Sequence, residues 1–288
     1  MNRINIQRVE NLADIDTFID EVKQPLVFLA GGTDLMVYCR RGDNPAPTWI
    51  DISFLKPLTE ITDTGDTISI GALATPRQLH ESALIQKYVP ALAKAAGLIG
   101  SPLIRNRATI GGNLGNASPA GDTIPPLFVH RAKVNTHYKS QSKTLEINNL
   151  FAGPGQTVLR PGELITSIDV EKEPHIIGSF LKLGQRKSLQ IAKVSIAVAL
   201  ILDHDIVKDI RIALGAVGPT VFRAYRTEAL LQGKILHAKL LKKAQKEILK
   251  ECNPIDDIRS TADYRREMVP ILLERILQDE ILHRFTNF

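Results

Sequence analysis

The sequence predicts an α+β protein with a larger first domain and a smaller second one. Short apolar runs of strand length alternate with helical stripes through residues 1–173, an alternation that indicates α+β or α/β structure. The composition then changes at the charged stretch 171–174, and three strand-like runs are followed by three helical segments. Strands and helices segregated in this way are typical of a separate α+β unit. We therefore place a domain boundary between residues 173 and 174.

The elements predicted for the first domain follow from periodicity and breakers. Apolar residues at helical spacing predict a helix over 12–22 that Pro25 stops, before a buried strand over 26–29 and a short helix from Leu35. Next come strands over 49–52 and 67–70, a Gly65-Asp66 hairpin turn, helices after Pro76, Pro90 and Pro125, and strands over 133–138, 144–147 and 164–170. For the second domain we expect strands over 176–183, 194–202 and 206–214, then helices over 222–231, 236–250 and 264–282.

Composition limits the function. The 288 residues carry a formal net charge of +5, with 44% hydrophobic and 23% charged residues, which is typical of a globular protein. No apolar run approaches the roughly 20 residues that a membrane span needs, and no signal sequence is recognised, so we expect a cytoplasmic protein. Cys39 and Cys252 are too few for a disulfide framework or an iron–sulfur cluster. The lysines of 234–250 lie on an amphipathic helix without a nucleic-acid motif, so we expect no nucleic-acid partner.

Two glycine-rich segments, 26–35 and 108–122, are the features that point to a ligand. Glycine permits positive φ angles and a close approach of backbone to a ligand, and exposed N–H groups in such turns bind anions. Each segment alone is also consistent with an ordinary tight turn. Together, about 80 residues apart, they suit a ligand with two linked anionic groups, and Asp122 is placed to accept ribose hydroxyls. No P-loop or Rossmann fingerprint occurs, so these segments do not form either of those nucleotide sites.

The motifs in these segments resemble a known family. Residues 30–35 (AGGTDL) and 109–113 (TIGGN) are similar to the paired FAD motifs in the flavoprotein subunit of molybdenum hydroxylases. That family includes carbon monoxide dehydrogenase, nicotinate dehydrogenase and the flavin domain of xanthine dehydrogenase. Further matches are residues 70–72 with Thr75, residues 101–106 and residues 264–266, so the resemblance covers nearly the whole chain.

The resemblance implies a fold, a cofactor and partners. The fold would be a two-lobed FAD-binding domain of the vanillyl-alcohol-oxidase type, with lobes of about 1–55 and 56–173, followed by a three-stranded antiparallel sheet with helices over 174–288. This chain would carry FAD, while a large subunit carries molybdopterin and a small subunit carries 2Fe-2S clusters. Electrons would pass from the 2Fe-2S subunit to FAD and then to NAD or another acceptor.

The resemblance also assigns cofactor contacts. Asp122 would bind ribose-side hydroxyls, Ile165 would lie at the adenine, Lys182 near the pyrimidine end of the flavin, and Ile191 over the flavin face. For Lys182 an outward position on an alternating strand is equally open, and Ile191 replaces a tyrosine found in some relatives, which leaves NAD access open. The full set of expected FAD contacts is Phe28, Leu29, Ala30, Gly31, Gly32, Thr33, Asp34, Leu35, Gly100, Thr109, Gly111, Gly112, Asn113, Gly115, Asp122, Ile165, Lys182 and Ile191.

Two other functions stay open on the sequence alone. A stand-alone flavoenzyme would act directly on a small substrate, but no set of acid and base residues indicates such a pocket. A flavin-free assembly module is the non-enzymatic alternative, and the intact glycine segments argue against it. The seven histidines show no metal-ligand spacing, and no nucleophile motif occurs, so we expect neither a metal nor a catalytic side chain in this chain.

Overall fold

The first lobe is a three-stranded parallel sheet with two connecting helices. The computed structural model describes residues 4–22, 24–43, 46–186 and 189–278. The first lobe contains β1 (Asn5–Arg8), α1 (Leu12–Glu21), β2 (Leu26–Leu29), α2 (Leu35–Arg41) and β3 (Thr48–Asp51). The strand order is β1-β3-β2, with β3 parallel to both neighbours. The predicted helices and strands are confirmed, whereas β1 was not predicted because its four residues do not alternate in polarity.

The second lobe holds an antiparallel sheet and a set of short helices. Its elements are β4 (Ile61–Asp63), β5 (Thr67–Gly71), α3 (Pro76–Glu81), α4 (Ala83–Tyr88), α5 (Pro90–Gly97), α6 (Pro102–Arg105), α7 (Ile110–Asn116), α8 (Ile124–Val129), β6 (Lys133–Tyr138), β7 (Gln141–Glu146), β8 (Phe151–Gly153), β9 (Gln156–Thr157) and β10 (Leu164–Glu171). Five strands form one sheet in the order β4-β5-β10-β6-β7. The hairpin at Gly65 is confirmed, because β4 and β5 pair across it.

The second glycine segment is a helix rather than the turn that its composition suggests. Residues 110–116 form α7, with Thr109 as the N-cap whose hydroxyl accepts from the Gly112 N–H at 3.1 Å. Ile110 and Leu114 are fully buried, one turn apart, and fix one face of the helix in the core. Burial of this pair outweighs the low helix propensity of the three glycines within α7.

The C-terminal domain has one strand more than predicted. It contains β11 (Ile177–Leu183), β12 (Val194–Asp203), β13 (Ile206–Gly215), β14 (Phe222–Arg223), α9 (Tyr225–Leu231), α10 (Ala238–Ile248) and α11 (Ala262–Gln278). The antiparallel sheet has the order β11-β12-β13-β14, so the expected three-stranded sheet is corrected to four strands. Phe222 and Arg223 pair with β13 instead of starting a helix, which begins at Tyr225. The last residues of the helix predicted over 264–282 lie outside the described residues.

Alternating side chains of β12 bury two different faces of this sheet. Ile196, Val198 and Leu200 belong to the core formed with α10 and α11. Ala197 and Ala199 belong to the core of the second lobe, together with residues of α5 and α8. Small side chains on that face let the sheet approach the second lobe closely. The described residues contain no helix long and apolar enough to cross a bilayer.

A buried histidine and a buried arginine lie where the second lobe meets the C-terminal sheet. The Arg211 guanidinium is fully buried and contacts the Glu173 carboxylate at 2.6 Å and the Asp209 carboxylate at 3.1 Å. His130 follows α8, and neither ring nitrogen has a hydrogen-bond partner among the described residues. Burial, and secondarily the charge of Arg211, lower the pKa of His130 to about 3. The imidazole is therefore neutral in the folded protein.

Replacing His130 with phenylalanine should remove one cause of acid destabilisation. The folded pKa of His130 lies below its ordinary value, so its contribution to stability is present above about pH 6.5 and is lost as the pH falls. We compare the free energy of unfolding of His130→Phe with that of the native chain at each pH. We expect this difference to favour the variant more at about pH 4 than at about pH 7.5. Urea unfolding at both pH values measures this. His204→Gln, at an exposed histidine, is the control and should show the pH dependence of the native chain. If His130→Phe also showed the pH dependence of the native chain, the assignment would be contradicted.

Candidate functional site

A cavity of about 510 Å³ lies between the first lobe and the second. Its lining includes the β2–α2 loop, the exposed face of α7 and the segment 157–165 that leads into β10. The two glycine segments, 80 residues apart in the chain, therefore share one cavity, as their pairing predicts. The volume is within the roughly 300–1,000 Å³ range of small-molecule and cofactor sites.

The β2–α2 loop presents a row of backbone N–H groups. In the described part of the chain, no acceptor pairs with the N–H groups of residues 31–35. Gly32 has a φ of +73°, which a residue with a side chain rarely adopts. A Cβ on Gly31 would lie 1.8 Å from the Arg107 carbonyl oxygen, so only glycine lets this loop touch the segment before α7. Consecutive free N–H groups in such a turn form a concave site for an anion.

Helix α7 contributes a smooth surface rather than free N–H groups. The Ile110 N–H donates to the Ala74 carbonyl at 3.0 Å, and the Gly111 N–H donates to the Ala72 carbonyl at 2.7 Å. These two N–H groups are therefore paired within the protein, and the role of this segment in holding an anion stays a prediction. Gly115 also lines the cavity, and a Cβ added there would meet nothing within 4 Å. A ligand can thus lie against the backbone of α7.

A polar bridge joins α2 and α7 beside the cavity. The Tyr38 hydroxyl donates to Asn116 Oδ1 at 3.0 Å, and Asn116 Nδ2 lies 3.5 Å from Asp34 Oδ1. All three residues line the cavity. Burial raises the pKa of Asp34, and a hydrogen bond from Thr33 opposes the shift. The bridge connects the first lobe to the second at the cavity that both of them form.

Most of the residues predicted from the sequence do line this cavity. Those that do are Phe28, Ala30, Gly31, Gly32, Thr33, Asp34, Leu35, Thr109, Gly111, Gly112, Asn113, Gly115 and Ile165. Sequence reasoning missed Tyr38, Asn116, Arg160 and Glu163, which also line it. Tyr38 and Asn116 follow the recognised motifs by less than two helical turns. Arg160 and Glu163 flank Pro161-Gly162, a dipeptide typical of turns, but nothing in the sequence indicates that this segment reaches the glycine loops.

Five predicted residues lie outside the cavity lining, and three of them have plain structural positions. Leu29 ends β2, and its side chain lies beneath Gly32. Gly100 has a φ of +46° and packs against the side chain of Ile104, which would clash with any Cβ there. Ile191 is 58% exposed and lines a separate surface depression of about 70 Å³. These three residues do not line the cavity of the glycine loops, and their contact with FAD stays a prediction.

The other two, Asp122 and Lys182, form a buried ion pair with each other. Lys182 Nζ lies 2.6 Å from Asp122 Oδ2 and donates to the Gln190 carbonyl at 3.1 Å. The Lys182 side chain is 3% exposed and the Asp122 side chain 10%, so the alternative of an outward Lys182 is excluded. Asp122 Oδ1 is buried and has no partner among the described residues. Burial raises the pKa of Asp122 to about 6, although the Lys182 charge opposes the shift.

Removing the lysine of this pair should destabilise the chain in a pH-dependent way. In Lys182→Met nothing opposes burial of Asp122, so its folded pKa rises further above the ordinary carboxyl value. A carboxyl whose pKa is raised on folding loses its stability contribution as the pH rises. We expect a loss of about 3–5 kcal/mol near pH 8 and a smaller loss near pH 5. Urea unfolding of the native chain and the variant at both pH values measures the difference.

A matched control is Lys133→Met, because Lys133 pairs with Glu171 at 2.8 Å on the exposed surface of the second lobe. Exposed pairs contribute little, so this variant should change stability little at either pH. Equal losses for Lys182→Met at both pH values would contradict the account of the buried pair.

Comparison with known proteins places this geometry in a family. Residues 2–172 match the sequence family described as the FAD binding domain in molybdopterin dehydrogenase, and residues 179–279 match the CO dehydrogenase flavoprotein C-terminal domain. The xanthine dehydrogenase FAD-binding subunit of Escherichia coli O157:H7 is 27% identical over 277 residues, which are 95% of this chain and 94% of the relative. The carbon monoxide dehydrogenase medium chain of Hydrogenophaga pseudoflava is 30% identical over 253 residues, 86% of this chain and 87% of the relative.

The fold agrees with a solved relative over nearly its whole length. Carbon monoxide dehydrogenase from Hydrogenophaga pseudoflava, in a form that lacks the Mo-pyranopterin moiety of the molybdenum cofactor, superposes with a TM-score of 0.91 at 28% identity, covering 96% of each chain. The predicted α+β fold class and the family resemblance are both confirmed. The chain belongs to the family of FAD-binding medium subunits of the molybdenum hydroxylases, and it contains their FAD-binding domain.

Proposed function

We propose that this chain is the electron-transfer subunit of a molybdopterin-dependent hydroxylase or dehydrogenase and that its cavity between the lobes holds FAD. It receives electrons from a 2Fe-2S partner subunit and delivers them to NAD or another acceptor. The observation that carries the proposal is the shared cavity of about 510 Å³, into which both glycine segments project their backbone. The family membership indicates FAD as the cofactor, and the cavity is large enough to support this proposal.

The residues present fit a flavin dinucleotide in three respects. The free N–H groups of residues 31–35 suit its diphosphate, since consecutive backbone donors in a turn bind anions. Gly115 leaves a flat surface where a side chain would occupy the cavity. Asp122 Oδ1 lies outside the cavity lining, but it is a buried acceptor without a partner among the described residues, and such an atom is costly unless a donor reaches it. A hydroxyl or ring N–H of the cofactor is such a donor.

The protein's own part in the chemistry is binding and orientation. FAD, when bound, supplies reversible one- and two-electron redox chemistry, which no side chain of this chain provides. The cofactor contacts we propose are the predicted residues that line the cavity, from Phe28 in β2 to Ile165 in β10, joined by Asp122 and Lys182. Lys182 would add positive charge beside a reduced flavin, which stabilises the anionic form. For Leu29, Gly100 and Ile191 the contact with the cofactor rests on the family resemblance alone.

The partners we propose follow from the names of the relatives. They are FAD-binding subunits and medium chains of xanthine and carbon monoxide dehydrogenases, which implies further subunits. We assign molybdopterin to a large partner and 2Fe-2S clusters to a small one. We place the assembly in the cytoplasm, because a chain with two cysteines has no disulfide framework of the kind that secreted proteins use. The boundary between residues 173 and 174 lies in the gap between the two matched ranges, which supports it.

The electron-transfer role can be tested by spectroscopy on the reconstituted complex. The purified full chain should show a flavin spectrum, and its flavin should be reduced anaerobically only when the partner subunits and their substrate are present. Adding NAD should then reoxidise it where NAD is the acceptor. A colourless chain that takes up no FAD would exclude the proposal. Efficient turnover of a small substrate by the chain alone would favour the stand-alone flavoenzyme instead.

Gly115 gives a test of the cavity that does not disturb the fold. In Gly115→Leu the side chain meets no protein atom at Cβ and projects into the cavity, so it should weaken FAD binding at least tenfold. Helix α7 itself should be no less stable, because leucine is a better helix former than glycine by about 1 kcal/mol. Flavin fluorescence titration measures affinity, and circular dichroism checks the fold.

The control is Gly153→Ala in β8, where a Cβ makes only an ordinary 3.6 Å contact with Gln156. Gly153 does not belong to the cavity lining, so this variant should bind FAD like the native chain. Native affinity in Gly115→Leu would show that the cofactor lies elsewhere.

A further inference from the structure

The charge inside the cavity is unusual for a site that receives a diphosphate. Of the described residues that line the cavity, Arg160 is the one with a cationic side chain, whereas Asp34 and Glu163 are acids. A bound diphosphate carries two negative charges, and charge-assisted hydrogen bonds from arginine are the strongest way to hold them. The N–H groups of residues 31–35 are dipoles without net charge. Among the described lining residues, Arg160 is therefore the side chain that can bring positive charge to a diphosphate.

The two acids do not neutralise Arg160. Glu163 accepts hydrogen bonds from the Thr136 hydroxyl at 2.6 Å and from the Arg160 backbone N–H at 3.1 Å, so its carboxylate is already held in place. Asp34 has a pKa raised by burial and belongs to the bridge with Asn116. Among the described residues, no carboxylate lies within ion-pair distance of the Arg160 guanidinium. Its positive charge is available for a ligand.

The position of Arg160 lets it reach a ligand without refolding. Arg160 is exposed and lies before the Pro161-Gly162 turn, where Gly162 has a φ of +83°. The guanidinium carbon lies 5.7 Å from the ring centroid of Tyr138, whose face holds the side chain over the segment that enters β10. The Glu163 carboxylate accepts from the Arg160 N–H and so fixes the backbone at this turn, while the Arg160 side chain is exposed. Such an arrangement suits a residue that closes onto a bound anion.

We propose that the Arg160 guanidinium binds the diphosphate of the cofactor and supplies the electrostatic part of its affinity. This inference rests on the proposed function, since it takes FAD as the ligand of the cavity. The β2–α2 loop selects the diphosphate by shape and hydrogen bonding, and Arg160 neutralises it from a segment 125 or more residues further along the chain. The contact is specific for phosphate, so the nucleobase and the flavin ring do not depend on it.

The test compares ligands that differ in phosphate. The full-length native chain, Arg160→Ala and Arg160→Lys are titrated with FAD, and ADP and adenosine are used as competitors. We expect Arg160→Ala to lower the affinity for FAD and for ADP about tenfold or more, and to leave adenosine unchanged. Arg160→Lys should recover part of the loss, because lysine keeps the charge but not the paired donors. Raising the salt concentration should weaken FAD binding more in the native chain than in Arg160→Ala.

Lys139→Ala is the matched control. Lys139 Nζ lies 5.8 Å from the same Tyr138 ring, but this lysine pairs with Asp20 and does not line the cavity. The control should bind FAD like the native chain. Unchanged ADP affinity in Arg160→Ala, or an equal loss of adenosine affinity, would overturn the proposal for Arg160. The proposed function would still stand in that case, provided that the native chain binds FAD. A native chain that binds no FAD would refute the function itself.

Discussion

The backbone contact between Gly31 and the segment before α7 is the constraint on which the site depends. The space for a Cβ on Gly31 is filled by the Arg107 carbonyl, so the two lobes meet here at main-chain distance. Gly111 makes a similar approach, since a Cβ there would lie 2.7 Å from the Ala72 Cβ at the end of β5. Two glycines thus hold the loop, α7 and the second-lobe sheet in one arrangement, and the cavity is the space that remains between them.

The same arrangement decides which backbone groups are left for a ligand. Helix α7 uses its first N–H groups to bind the carbonyls of Ala72 and Ala74, which anchors it to the second lobe. The β2–α2 loop has no such partners within the described chain, so its N–H groups stay free. Two glycine motifs that are similar in sequence therefore have different structural roles. One fixes the position of the cavity wall, and the other offers donors to whatever the cavity holds.

These differences mark the limit of what sequence could predict. Periodicity placed most helices and strands, because buried apolar faces leave a local pattern, as in β2 and β12. It failed for β14, whose two residues are too few to form a pattern, and for α7, where burial of Ile110 and Leu114 outweighs the low helix propensity of glycine. The cavity residues on the two motifs were predictable for the same local reason. Arg160 and the pairing of Asp122 with Lys182 were not, since each depends on chain segments brought together by the fold.

The ion pair of Asp122 and Lys182 also joins the first domain to the C-terminal domain. Asp122 lies between α7 and α8, whereas Lys182 belongs to β11 of the C-terminal sheet. The pair is buried, and a buried carboxylate without its cation would be strongly unfavourable. The C-terminal domain thus supplies the charge that a residue near the cavity needs, and Gln190 ties the loop before β12 to the same lysine. Because the pair takes one residue from each domain, the position of Asp122 after α7 depends on the packing of the C-terminal sheet.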